Sequence, residues 1–511
     1  MKRISLFLFA ISLLIVISGC SRSEVSPQVN LSALNDLPVL SIETKSTAKS
    51  VMDFVTKPIT SHVSESIASW TPDYEIPPAP YYEACSVTLT DTDQTVLLDA
   101  VNADVKVRGN WTTSYDKKPL RIKFEEAQGM LGLNDGATFK NWLLLAEYKD
   151  ASMLRNKTAL ALARELLAED GLYASDATLV EVVINGQYWG VYLLAEQQQV
   201  NQDRVDITEV PEGYTGTDIG YFIEFDGYAW TEDSLQQFYI DYADNTELIP
   251  FDGNGGSGKI GNISDSGYTI KSDIYSEKQR NFIASYIKNV YYIMYAAAYK
   301  GESYIFNDTY TEIIKTDNIS PKEAIERVVD VNSLADAYLI NELLCDADIY
   351  WSSFFMSADF GPEGNKKLTF EAPWDYDSSL GLKDRCLDGT GFYAASTVPD
   401  VNGNECDFIN PWLAVLAYED WYQDIITEKW TKAYDSGVFD RVYAMIESDK
   451  NLYTEAFDRN YERWDNINNR SAFESELSWR AAACRTQQEA TDFLLEWLKS
   501  RVEFLNEYWH S

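Results

Sequence analysis

Two short acidic segments lie on either side of an apolar stretch in the second half of the chain. The first contains Asp346 and Asp348, and the second contains Asp375 and Asp377. If the apolar stretch folds as a β-hairpin, its two ends return to the same place and bring Asp348 close to Asp375. Two carboxylates at that spacing suit metal-assisted phosphoryl transfer, in which one orients the acceptor hydroxyl and the other holds the cation. The alternative is a pair of solvated loop acids in a very acidic protein.

The hairpin itself is predicted from two β-prone runs divided by a turn. The runs are Phe354-Phe-Met356 and Leu368-Thr-Phe370, and the turn is Gly361-Pro-Glu-Gly364. A second hairpin is predicted farther upstream, where Asn185-Gly186 joins two apolar β runs, because Asn-Gly is the strongest short signal for a tight hairpin turn.

The rest of the chain predicts strands first and helices later. Period-two alternation predicts strands at 37–42, 87–90, 105–109 and 120–124. The apolar run at 142–146 predicts a short buried segment, and 221–225 is predicted as another strand. Helices are predicted over 150–168, 276–300 and 331–345, and helix follows helix from 411 to the end. This order indicates an α+β protein with two lobes, a β-rich N-terminal lobe and a mainly helical C-terminal lobe, and a site in the cleft between them.

Composition limits the kind of partner. The net charge of −38 argues against nucleic acid, whose phosphates require a surplus of Lys and Arg. A nucleotide site in such a chain needs divalent cations and a local cluster of basic groups. Only two histidines occur, His62 and His510, so histidine-based acid–base chemistry is not expected.

The N-terminus predicts export. Lys2 and Arg3 precede an apolar run that ends in Ile17-Ser-Gly-Cys20, the pattern of a lipoprotein signal with lipidation at Cys20. We therefore expect a signal peptide at 1–19, a tether at 20–36, and an extracytoplasmic protein attached to the membrane by a lipid anchor only. An ordinary signal peptide with an incidental cysteine is the alternative. Cys386 and Cys406 are a candidate disulfide pair.

Five motifs follow one another along the chain, namely Val107-Arg-Gly-Asn-Trp-Thr-Thr-Ser-Tyr-Asp-Lys-Lys-Pro-Leu-Arg-Ile-Lys-Phe124, Trp142-Leu-Leu-Leu-Ala146, Leu154-Arg-Asn-Lys157, Tyr192-Leu-Leu-Ala-Glu196 and Pro373-Trp-Asp-Tyr-Asp377. Together and in this order they resemble the CotH kinase family, the spore-coat atypical protein kinases. The resemblance covers residue 37 to at least Gly381 and is less distinct in the helical tail. It implies a kinase-like domain over 37–410, followed by a helical region at 411–511 packed on that domain. Within the domain, the acidic, Gly-rich composition of 231–266 predicts a surface insertion.

The resemblance also implies ATP as the donor, Mg²⁺ or Mn²⁺ as the cation, and Ser or Thr of surface or coat-type proteins as the acceptor. By motif, Asp348 is the catalytic acid that orients the acceptor hydroxyl, and Asp375 holds the metal. Lys123 is the choice for the lysine on the phosphates, and Gly109 with the turn after it covers the nucleotide, with positive charge added by Arg108.

Other residues compete for these roles. Lys117 or Lys118 could replace Lys123, and Asp346 competes with Asp348. Asp377 either shares the metal or caps a turn. The glutamate partner of the kinase lysine is either Glu165 or Glu196. Ser353 stands where the family pattern has Asn as a ligand of the second metal, so this position departs from the pattern.

Two further functions compete with the kinase. The first is a catalytically weak or inactive kinase-like scaffold at the cell surface that binds matrix proteins or glycans. The second is transfer of another group from a nucleotide. Nucleotide-dependent stabilisation and label transfer separate the three.

Overall fold

The computed structural model describes residues 29–31, 34–48, 50–61, 64, 68–69, 71–253, 261–263, 267–384, 387–399 and 405–511. The predicted signal peptide, Cys20, most of the tether and Cys386 lie outside these residues, as does the side chain of Cys406. Among the described helices, none is both long enough and apolar enough to cross a bilayer.

The first half of the chain forms a closed seven-stranded barrel in the order β1-β2-β3-β4-β5-β7-β6. The helices α1 (Asp53–Thr56) and α2 (Arg155–Leu167) accompany it. The strands are β1 (Val39–Thr44), β2 (Glu83–Thr90), β3 (Val96–Val107), β4 (Leu120–Gln128), β5 (Phe139–Leu145), β6 (Ala177–Ile184) and β7 (Gln187–Glu196).

The barrel closes because β1 pairs on both edges. Leu40 lies opposite Leu89 of the antiparallel β2 and opposite Val182 of the parallel β6. The sequence predicted these strands but not their closure, since closure depends on pairing between strands that are about 140 residues apart. The Asn185-Gly186 hairpin is confirmed, with Ile184 opposite Gln187.

The second half holds a five-stranded sheet in the order β15-β14-β8-β11-β9. The predicted acidic hairpin is confirmed, because β14 and β15 are antiparallel and Met356 lies opposite Phe370. The remaining strands are β8 (Gly220–Asp226), β9 (Gln237–Phe238), β10 (Asn262–Ile263), β11 (Gly267–Ile270), β12 (Tyr304–Phe306), β13 (Ile313–Lys315), β14 (Phe354–Asp359), β15 (Leu368–Phe370), β16 (Val398–Pro399) and β17 (Glu405–Ile409).

Helices surround this sheet and make up the C-terminal part. They are α3 (Glu277–Lys300), α4 (Pro321–Glu326), α5 (Val331–Leu344), α6 (Pro411–Ala414), α7 (Asp420–Asp435), α8 (Val438–Leu452), α9 (Thr454–Trp464), α10 (Trp479–Ala483) and α11 (Gln487–Trp509). The predicted helices at 276–300 and 331–345 are confirmed, with N-caps from Ser276 and Asp330. The mixture of sheets and helices confirms the α+β class.

The barrel and the second half are joined through strands that are buried on both faces. In β5, Trp142 and Leu144 fill the barrel, whereas Leu143 and Leu145 pack into the core of the second half. Such strands read as continuous apolar runs, which is why 142–146 showed no alternation. The segment 231–266, predicted as an insertion, contributes β9 and buries Phe238 in the same core.

Candidate active site

The turn after α5 holds the first two acids. The Asp346 Oδ1 atom accepts a hydrogen bond from the Asp348 backbone N–H at 3.0 Å, while Asp346 Oδ2 is buried and has no hydrogen-bond partner among the described residues. Burial and the charges of Asp348 and Asp375 raise the pKa of Asp346 well above its usual range. The Asp348 carboxylate is more open, with 28% of its side chain exposed, and lies 3.8 Å from Lys383.

The hairpin brings the second acidic segment to this turn. Ser353 Oγ donates to Asp375 Oδ2 at 3.2 Å, and the Ser353 N–H donates to Glu224 Oε1 at 2.9 Å. Glu224 lies on β8 and forms an ion pair with Lys271 at 2.7 Å. The structure therefore brings Asp348, Ser353 and Asp375 together, while their roles stay predictions.

Asp375 is held in a strongly acidic environment. Burial raises the pKa of its carboxyl to about 7, and the charges of Asp377 and Asp348 act in the same direction. Arg108 and Lys149 oppose this shift. A nearby cation would stabilise the charged form of a carboxylate in such an environment.

Lys149 supplies positive charge from a position that the sequence did not single out. Its ammonium group donates to Ser378 Oγ at 2.7 Å and forms ion pairs with Asp377 at 3.1 Å and Glu476 at 3.3 Å. Burial acts to lower the pKa of Lys149, but the two carboxylates raise it well above the usual value. The only sequence signal was a polar Glu-Tyr-Lys-Asp run that begins two residues after the end of the buried strand β5.

Arg108 enters the same cleft from the end of β3. Its guanidinium lies 6.0 Å from the centre of the Trp374 ring, and it lines the cleft with Lys149, Asp375 and Asp377. Gly109 follows with φ +97°, and a Cβ there would lie 2.9 Å from Thr112 Oγ1. The covering turn therefore needs glycine at this position.

The two lysines of the covering turn are engaged inside the protein. Lys117 Nζ donates to the Ala146 carbonyl at 2.9 Å and to Asn460 Oδ1 at 3.0 Å. Lys118 Nζ donates to two carbonyl groups of the turn itself, those of Thr113 and Tyr115. Both are buried and neither lines the cleft, so these alternatives to Lys123 make structural hydrogen bonds away from it.

Lys123 and Glu196 lie away from the acids. Lys123 is exposed on β4, four residues beyond Pro119, which lines the cleft, and four residues span about 13 Å along a strand. Glu196 is buried at the end of β7, where it binds Arg204 at 3.0 Å and accepts from Asn134. Glu165, the other candidate, is paired with Arg441 on the surface. No contact among the described residues joins Lys123 to either glutamate.

The C-terminal part of the chain completes the cleft. Glu476, in the short 3₁₀ turn Glu474–Glu476, accepts hydrogen bonds from Trp111 Nε1 and Tyr115 OH, each at 2.7 Å. Because Glu476 also binds Lys149, one carboxylate joins the covering turn to the cationic side of the cleft.

A family model described as CotH kinase protein matches residues 105–505, which is well over half of the chain. The chain belongs to the CotH kinase family. The match starts within β3 and ends within α11, so it includes the helical tail that contributes Glu476. No curated protein matches the sequence significantly.

The structure explains why Leu154-Arg-Asn-Lys157 occurs among the CotH-like motifs. Asn156 Nδ2 donates to Glu147 Oε1 at 2.9 Å, and Asn156 Oδ1 accepts from the Tyr376 backbone N–H at 3.0 Å. Arg155 forms a buried ion pair with Asp150. The motif therefore fixes the Pro-Trp-Asp-Tyr-Asp segment against the end of β5.

The residues of this CotH-family cleft fit a cation that arrives with a nucleotide. In the part of the chain that the structure describes, no three His, Cys, Asp or Glu side chains form a metal-binding group by themselves. Mg²⁺ is commonly bound by one or two carboxylates together with substrate phosphates. Asp375 beside Arg108 and Lys149, with the unpartnered Oδ2 of Asp346 close enough for its carboxyl to feel the charge of Asp375, fits that mode of binding.

Proposed function

We propose that this protein transfers the γ-phosphoryl group of ATP to a Ser or Thr hydroxyl of another protein, with Mg²⁺ or Mn²⁺ as cofactor. The observation that carries the proposal is the meeting of Asp348 and Asp375 with two cationic side chains in one cleft of a CotH-family chain. On this proposal the barrel and the helical second half act as the two lobes of a divergent kinase.

Asp375 is the residue we assign to the cation. The cation would neutralise charge on the phosphates as the phosphoryl group moves. Asp377 is already paired with Lys149, so its role is to hold that lysine in place, and Ser353 keeps the Asp375 carboxylate oriented.

Asp348 is the residue we assign to the acceptor hydroxyl. Its side chain is partly exposed, whereas Asp346 is buried and bonded to the Asp348 backbone, which suits a supporting role. An acid that orients a hydroxyl must reach a substrate, and the more open of the two can do so.

Lys149 and Arg108 replace Lys123 in our assignment of the phosphate contacts. Both line the cleft next to Asp375, whereas Lys123 lies farther along β4. Positive groups placed beside a transferring phosphoryl group stabilise its charge without chemical change of their own.

We also propose that the protein acts outside the cytoplasm, tethered through a lipidated Cys20. A lipoprotein signal in the sequence supports this, and the acceptor would then be a surface or coat-type protein.

Thermal unfolding with and without ATP tests the function. We expect a rise in unfolding temperature with millimolar ATP plus Mg²⁺ or Mn²⁺, and transfer of labelled phosphate to a generic protein acceptor. Asp375→Asn should lose both effects. Glu363→Gln, an exposed acid at the far end of the same hairpin, is the matched control and should keep them.

Each outcome separates the candidate functions. No cation-dependent stabilisation at millimolar ATP would overturn the kinase proposal. Stabilisation without transfer would instead support a kinase-like scaffold at the cell surface. Transfer of a group other than the γ-phosphoryl would support the remaining candidate, an enzyme that transfers another part of the nucleotide.

A further inference from the structure

A row of basic residues runs along the outer face of the barrel into the cleft. Lys106 and Arg108 come from the end of β3, and Arg121 and Lys123 come from β4. Side chains alternate along a strand, and the residues between these four, such as Val107 and Ile122, fill the barrel. We call the four residues the basic strip.

The basic strip is poorly balanced by acids, although the whole chain carries 80 acidic and 42 basic residues. With the described residues, Lys106, Arg121 and Lys123 form no ion pair within 4 Å. Lys106 lies 4.8 Å from the centre of the Tyr82 ring, and Arg121 donates to the neutral Asn141 Oδ1 at 2.8 Å. Asp104 stands opposite Lys123 in the strand register but is not bonded to it.

The arrangement costs stability in the isolated protein. Lys106 and Arg121 stand directly opposite each other in the register of β3 and β4, and like charges in such a pair repel. An anionic partner on this face would relieve the repulsion, because neither Lys106 nor Arg121 has an acid within ion-pair distance among the described residues.

The spacing of the strip fits an extended acidic peptide. Same-face residues of a strand recur about every 7 Å, and the alternate side chains of an extended peptide recur at the same distance. The strip begins at Arg108 beside Asp375 and leads away from the acids, so a peptide along it would reach the cleft at one end.

We propose that the basic strip binds an acidic, extended segment of the acceptor protein and guides its hydroxyl residue to the cleft. The link to phosphoryl transfer rests on the proposed function, whereas the binding of an acidic segment does not. The other anion that four cations beside this cleft could bind is the triphosphate of the nucleotide, and the test distinguishes the two.

Binding of two labelled synthetic peptides, without nucleotide, tests the proposal. Both peptides contain one Ser followed by alternate positions that carry Glu in one peptide and Gln in the other. Fluorescence anisotropy should show tighter binding of the Glu peptide by about threefold to tenfold, the range that two exposed ion pairs provide. The preference should weaken from 50 to 200 mM salt, since exposed charges are screened.

The variant Lys106→Gln/Lys123→Gln should lose the preference for the Glu peptide. Lys278→Gln/Lys288→Gln removes the same charge from exposed positions of α3 and is the matched control, which should keep the preference. ATP-dependent stabilisation should be unchanged in both variants.

Three results would overturn the proposal. One is equal binding of the two peptides by the unmodified protein, and another is an equal loss of preference in both double variants. The third is an unchanged preference together with weaker ATP stabilisation in Lys106→Gln/Lys123→Gln, which would assign the strip to the nucleotide. Because no transfer is measured, failure of the kinase proposal leaves the peptide result interpretable.

Discussion

Replacing Glu476 with Gln tests whether the C-terminal segment holds the cleft together. The Glu476–Lys149 ion pair is largely buried, with 17% and 6% of the two side chains exposed, so its loss should cost about 1–2 kcal/mol. The hydrogen bond from Tyr115 would become a neutral one and lose about half its strength, or about 1 kcal/mol. Trp111 is half exposed and can bond to water instead. The expected loss of unfolding free energy is therefore about 2–3 kcal/mol.

A double-mutant cycle isolates the ion pair within that loss. Glu476→Gln and Lys149→Met should show a coupling energy of about 1–2 kcal/mol in urea unfolding, provided that two probes give coincident transitions. Glu474→Gln, on the same turn but exposed, should be additive with Lys149→Met. If the Glu476 cycle is also additive within about 0.5 kcal/mol, the cleft is not held by this carboxylate and the reasoning fails.

Two further substitutions follow from the same structure. Ser353→Asn should enlarge the cation-dependent stabilisation by ATP, because an amide oxygen is a better cation ligand than a hydroxyl. Asn also tolerates the left-handed backbone at φ +61°. A shift in unfolding temperature equal to or smaller than that of the unmodified protein would contradict this prediction. Burial, aided by Asp170 and opposed by Lys429, raises the pKa of Asp336 to about 8. The contribution of Asp336 to stability therefore falls as pH rises from about 4 to about 8. Over that range the urea midpoint of Asp336→Asn should rise relative to that of the unmodified protein, and parallel pH profiles of the two midpoints would refute this.

The acids of the cleft could be predicted from the sequence because their relation is local. Only the β14–β15 hairpin separates Asp348 from Asp375, and a hairpin returns the chain to its starting point whatever surrounds it. The Asn185-Gly186 turn could be predicted for the same reason. Both inferences needed nothing beyond turn chemistry and alternation.

Of the two cations of the cleft, Arg108 was expected from the family resemblance, whereas Lys149 was not, and local patterns could not show where Lys123 lies. Period-two alternation showed that Lys123 projects from one face of β4, but not whether that face meets the acids. Barrel closure decides it, and that closure depends on β1 meeting β6, far away in the sequence. Lys149 was missed because it lies in an irregular segment, and Glu476 because it is more than 300 residues from the residues it binds.

The backbone around the cleft holds three residues in the left-handed region. Glu147, Ser353 and Asp375 all have left-handed φ angles, of 49°, 61° and 74°, which cost about 1–2 kcal/mol for a residue with a side chain. Each is held there by a bond from a neighbour, as Asn156 holds Glu147 and Ser353 holds Asp375. Strain of this kind persists where the position of a side chain matters more than stability. Left-handed φ angles also occur far from the cleft, at Gln94 and Tyr310 for example, so at Glu147, Ser353 and Asp375 their effect is to set the direction in which each side chain points.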